Sequence, residues 1–144
     1  MRILFVGEYS GLFNCLKDGL VSLGHEVFLA SDGDTYKNYP SDFRWDVNVK
    51  NGRLKQLLGM LNVLFNLRMF KNYDVVMFIS TRVLYTRLLP FLNLWFYRYI
   101  SKANKKSFIC DSGLDFIGYR YWFEHKESKY YHYALGYFNK ESNN

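Results

Sequence analysis

Cysteine is scarce in this chain: Cys15 and Cys110 are the whole supply, without metal-ligand spacing and too few for a disulfide framework. A stapled secreted scaffold is thereby excluded, and a reduced, cytoplasmic compartment is expected. Histidine is no better arranged, since His125 and His132 have no third ligand beside them, and no metal site is expected. Long apolar runs are missing as well. The longest uncharged stretches, Gln56–Leu67 and Leu88–Tyr97, fall short of the roughly 18 residues that span a bilayer. The first apolar run meets Glu8 after one strand's length, so neither a membrane crossing nor a secretory signal is expected. The chain also lacks the G-x-G-x-x-G fingerprint, because Tyr9 stands where its second glycine would fall, which argues against a dinucleotide cofactor. Internal repeats and RNA- or DNA-binding fingerprints are absent, so no nucleic-acid partner is expected.

What is present suffices for one folded α/β unit. The 144 residues are 49% apolar, which excludes general disorder. The formal charge of +6 favours contact with something anionic, although the Lys and Arg residues are dispersed along the sequence.

Met1–Val27 organises the rest. Ile3, Leu4, Phe5 and Val6 form a continuous apolar run that suits a parallel strand covered on both faces. The turn Gly7-Glu8-Tyr9-Ser10-Gly11 follows, and Leu12, Phe13, Leu16, Leu20 and Leu23 then mark one face of a helix, capped by Ser10 or Asn14 and stopped by Gly24. Val27–Ala30 is the second strand of this βαβ unit. Its turn aims the helix's free N–H groups at a phosphate, carboxylate or sugar hydroxyl, which makes Gly7, Glu8, Tyr9, Ser10, Gly11 and Asn14 candidate substrate-binding residues. The bland alternative is that both glycines merely allow a tight strand-to-helix turn. On the binding reading, Gly11→Val impairs function and leaves the domain folded.

Ser31-Asp32-Gly33-Asp34 is a polar turn, in which Asp32 holds the place of a ribose-binding acid. Phe43–Val49 alternates like a short third strand, with Val47–Val49 at a sheet edge. A helix is predicted over Arg53–Phe70, capped by Asn51 and apolar on both faces. It is either wedged between neighbours or presented to a membrane surface or partner. Val75–Ile79 reads as the strand beside the first. Arg82–Ala103 reads as a long helix kinked at Pro90, its aromatic body bordered by Arg82, Arg87 and Arg98. Phe108–Cys110 is the last strand, and the loop after it supplies Asp111, Ser112, Gly113 and Asp115, two carboxylates able to orient or deprotonate an acceptor hydroxyl. The division expected is a Rossmann-like domain over 1–118 and an aromatic, basic segment over 119–144 that frays at its end.

The order strand, Gly-Glu-Tyr-Ser-Gly turn, helix ending in Leu-Gly-His-Glu-Val, strand, Ser-Asp-Gly-Asp resembles the amino-terminal domain of GT-B glycosyltransferases, especially bacterial family-four enzymes that build surface polysaccharides. Tyr73–Ser80 is similar to that family's "YDVV" strand. Ser107–Asp115 lies where the family has a strand followed by His-Gly-x-Asp, with Ser112 standing at the histidine position when Gly113 is aligned to the glycine.

The resemblance implies a three-layer parallel sheet forming the acceptor-side half of an enzyme. That enzyme transfers a hexosyl group from a nucleotide-sugar to a polysaccharide or glycolipid. Asp111 and Asp115 would be catalytic, Ser112 and Gly113 would bind substrate, and no cofactor beyond the donor is needed. It also implies a separate donor-binding domain or subunit, so the chain alone is expected to be inactive, as a truncated or split piece. The alternative is a non-catalytic α/β binding module that docks on protein or on an anionic membrane, at the inner face of the cell membrane, through residues 56–70, 88–99 and the aromatic tail.

Overall fold

The central strand β1 (Arg2–Val6) is buried over Ile3, Leu4, Phe5 and Val6, as its unbroken apolar run requires of a strand packed on both faces. The computed structural model describes residues 1–34, 37–80, 83–84, 90–110 and 116–127. Five parallel strands form one sheet in the order β3-β2-β1-β4-β5, the others being β2 (Glu26–Ser31), β3 (Phe43–Arg44), β4 (Val75–Phe78) and β5 (Lys106–Ile109). The four apolar runs named from sequence all enter this sheet, and β4 lies beside β1 as expected.

Period-two alternation divides β1 between two cores. Leu4 and Val6 join Val63, Phe70, Phe96 and Ile100 on one face, which places helices α2 (Gly52–Phe65) and α3 (Pro90–Ala103) there. Ile3 and Phe5 join Phe13 and Leu20 of helix α1 (Leu12–Ser22) on the other, with the Phe5 and Phe13 rings stacked at 4.5 Å. The result is a Rossmann-like three-layer α/β fold. Gly24 ends α1 as expected: its φ is 81°, its N–H donates to Val21 O and the next N–H, of His25, donates to Leu20 O.

Three boundaries differ from expectation. The edge strand is Phe43–Arg44, not Val47–Val49. Asp42 accepts a hydrogen bond from Leu29 N at 2.7 Å and Trp45 N donates to Ser31 O at 3.2 Å, which fixes the pairing there, and Trp45 then turns into the core. The second predicted helix ends at Phe65. Asn66 folds its amide back onto Asn62 O at 2.8 Å, and a short 3₁₀ turn, Leu67–Phe70, then drops Phe70 into the core. Its start is as read, with Asn51 Oδ1 accepting from Arg53 N and Leu54 N.

The third difference is that the helix predicted over Arg82–Ala103 is not continuous, because residues 83–84 are not helical; α3 is described over Pro90–Ala103, and the residues that would decide a kink at Pro90 lie outside the described residues. Before it, Val83 N and Leu84 N both donate to Asn93 Oδ1, at 3.1 and 3.0 Å, which ties residues 83–84 to the side of that helix. Arg82 and residues 85–89 lie outside the described residues.

The chain divides into two compact units, Met1–Cys110 and Asp111–Asn144. The second contains α4 (Phe116–Glu124), which runs through the boundary at 118 drawn from sequence. Among the described residues no helix is long and apolar enough to cross a membrane.

Candidate functional site

Strand order reverses at β1, with β2 and β3 to one side and β4 and β5 to the other. In open α/β sheets ligands are held outside the strands' carboxyl ends at such a reversal, which makes the carboxyl ends of β1 and β4 the candidate site. Gly7 follows β1 there with φ 93°, donating to Ala30 O at 2.8 Å. A Cβ on Gly7 would stand 2.2 Å from Ile79 Cγ2, so only glycine lets the two loops approach this closely.

Glu8 is the residue that sequence placed in the loop without foreseeing its task. It is only 6% exposed, and its carboxylate turns toward the start of α1. Oε1 accepts from Tyr9 N at 2.7 Å and Phe13 N at 3.2 Å; Oε2 accepts from Asn14 N at 3.0 Å and from the Asn14 side-chain amide. Leu12 N donates to Tyr9 O and Cys15 N to Gly11 O. The first-turn amides are thus all engaged, and neither Ser10 nor Asn14 caps the helix as expected. A carboxylate occupies the position where free N–H groups were expected to meet a ligand anion, complementing the positive end of the helix dipole from within.

The same geometry corrects the expectation for Gly11→Val. Gly11 has φ 81°, and a Cβ there would lie 3.0 Å from the Tyr39 ring, so valine strains the fold itself.

What the loop presents outward is different chemistry. Tyr9 is 51% exposed, and Lys37 Nζ lies 5.3 Å from its ring centroid. Lys37 Nζ also donates to Ser10 Oγ at 2.7 Å and pairs with Asp34 Oδ2 at 2.9 Å, while Ser10 N donates to Asp34 Oδ2 at 2.8 Å. Burial raises the Asp34 carboxyl, but the Ser10 amide and the Lys37 ammonium outweigh it and hold the group below its ordinary value.

The β1 and β2 loops are in this way locked to each other across more than twenty residues of sequence. The Asp34–Lys37 pair has i, i+3 spacing, a signal sequence reasoning passed over, whereas its meeting with Ser10 has no such signal. Asp32 points elsewhere: its Oδ1 accepts from Asp34 N, and burial, with Asp46 and Asp34 near, raises its pKa. Arg44 braces the turn with two bonds to Asp46, at 2.7 and 3.0 Å, and one to Asp32 O at 3.2 Å.

The structure therefore gathers Gly7, Glu8, Tyr9, Ser10, Gly11 and Asn14 at one sheet end and adds Asp34, Lys37 and Tyr39, which sequence reasoning had not singled out. Asp111, Ser112, Gly113 and Asp115 lie outside the described residues. Among the described residues no group of three His, Cys, Asp or Glu is placed to hold a metal ion. No family model matches this chain, and none of the curated proteins or solved structures compared with it does either.

Proposed function

We propose that this chain is the acceptor-side domain of a glycosyltransferase, holding the glycan or glycolipid that receives a hexosyl group from a nucleotide-sugar. The observation that carries the reading is the half-exposed Tyr9 ring flanked by Ser10, Asp34 and Lys37 at the carboxyl end of β1. A sugar offers an apolar face of C–H groups and a rim of hydroxyls that both donate and accept. An aromatic ring beside a hydroxyl, a carboxylate and an ammonium answers both.

The Glu8 carboxylate makes the turn a poor seat for a diphosphate, so the donor belongs on a separate domain or subunit, which would also stabilise the departing diphosphate. Asp111 and Asp115 are the proposed groups for orienting the acceptor hydroxyl and taking its proton.

Saturation-transfer NMR on the full chain tests this with two probe sets, neutral oligosaccharides and nucleotide-sugars. Saturation should reach the oligosaccharides, and Tyr9→Ala should weaken their binding about tenfold, the worth of one stacking contact. Nucleotide-sugar binding that Tyr9→Ala abolishes would assign the turn to the donor instead. Turnover by the chain alone, given donor and acceptor, would overturn the half-enzyme reading.

A further inference from the structure

Helices α2 and α3 cover the same face of the sheet, and each turns a second apolar stripe away from it. In α2 the buried residues are Gly59, Met60 and Val63, while Leu54, Leu57 and Phe65 are exposed on the opposite side, Phe65 to 84%. In α3, Phe96 and Ile100 are buried, and Phe91, Leu94 and Trp95 are exposed opposite them. Arg98 and Lys102 continue that exposed stripe at helical spacing. A helix apolar on both sides is ordinarily enclosed; these two are not.

Their charge is as one-sided as their hydrophobicity. Neither helix contains an acidic residue, and from Lys50 to Cys110 there are eleven Lys or Arg against the single acid Asp74. Among the described residues, Arg53, Arg68, Arg98 and Lys102 form no ion pair with a carboxylate. Arg53 and Lys55 of α2, Arg98 and Lys102 of α3 and Arg68 of the turn after α2 thus give this layer basic charge unopposed by any acid of the two helices, with exposed aromatic and aliphatic side chains between them.

We infer that the outer faces of α2 and α3 form a docking surface for an anionic lipid bilayer, on which both helices lie flat. Charge complementarity selects this occupant. Apolar side chains enter the headgroup boundary while Arg and Lys meet lipid phosphates, the arrangement of an interfacial helix and not of a spanning one. A second copy of the chain would set two strongly basic faces against each other. Nucleic acid would leave Leu54, Leu57 and Leu94 without a partner, since they have no ring on which a base can stack. The inference stands on different residues from the Tyr9 cluster and survives or fails independently of it.

Co-sedimentation of the full chain with vesicles tests it, using phosphatidylcholine alone and phosphatidylcholine mixed with phosphatidylglycerol. The chain should pellet with the mixed vesicles at low salt, be released as salt screens the attraction, and remain in the supernatant with phosphatidylcholine. Arg98→Gln with Lys102→Gln should lower partitioning about thirtyfold, at about fivefold for each basic residue. Phe65→Ser with Trp95→Ser should lower it by at least tenfold, with far-UV circular dichroism melting unchanged for both variants because all four side chains are exposed. Failure of the wild type to pellet, or equal pelleting of folded variants, overturns the inference. A dimer that Phe65→Ser dissociates, in a chain indifferent to lipid, would assign the surface to a second copy.

Discussion

Glu8 illustrates how a single side chain redirects the reading of a loop. The glycine-bracketed turn was legible, and so was the helix after it, but the direction of the Glu8 carboxylate depends on the left-handed Gly7 before it and on the buried Phe13 beyond. Replacing Glu8 by Ala strips acceptors from Phe13 N and Asn14 N at a mostly buried helix start, and should cost about 1–3 kcal/mol in urea unfolding. An unchanged midpoint would mean that water replaces the carboxylate there. Asp32 makes the opposite case. Burial raises its pKa above the unfolded value, so its charge opposes folding, and the penalty grows as pH rises from the ordinary Asp range through the folded-state pKa. Asp32→Asn keeps the oxygen that accepts from Asp34 N. It should raise the melting temperature at pH 7 and lose that advantage in acid. A destabilised Asp32→Asn at neutral pH would show that the charge is used, most simply by Arg44.

Helix ends were less legible than helix existence, and for identifiable reasons. Apolar spacing continues through Phe70, so nothing in periodicity separates α2 from the 3₁₀ turn after it; Asn66 does so through a side-chain bond that no pattern reports. The alternation of Phe43–Val49 was visible, but its pairing was decided by Asp42 and Trp45, residues whose partners sit on β2. Pro90 was read as an interior kink because the apolar residues on both sides suit a helix. Residues 83–84 are not helical, and α3 is described from Pro90, which at a first helical position would have no intrahelical N–H partner to lose. The two placements differ in energy. An interior proline replaced by Ala would return about 3 kcal/mol, whereas at a first helical position Pro90→Ala should change stability by less than about 1 kcal/mol, since no intrahelical hydrogen bond is regained. Chemical denaturation decides between them, and a gain near the larger figure would restore the kinked helix.

The sheet was the most legible feature of the whole molecule, because four short apolar runs separated by helical stretches admit few arrangements other than a parallel sheet with right-handed crossovers. Its order then follows from which helix lies on which face, and the reversal beside β1 from that order. Contacts between loops remote in sequence were hidden, as in the approach of Lys37 to Ser10, because neither residue type nor spacing announces them. The same is true of the placing of α2 and α3, both without an acidic residue, on one face of the sheet. Among the described residues, both core clusters are drawn entirely from Ile3 to Cys110, within the first compact unit, Met1–Cys110, and the five strands all fall within that unit. A chain ending at Cys110 should therefore fold by itself. Buried Trp45 reports this directly, since its own carbonyl faces Gly59 of α2 and its side chain joins the core on the α2 side. Urea unfolding of residues 1–110, followed by tryptophan emission and circular dichroism, should give one cooperative transition with coincident midpoints. A broad, non-coincident transition would mean that residues after Cys110 complete the core, and would move the boundary of the folding unit toward the carboxyl terminus.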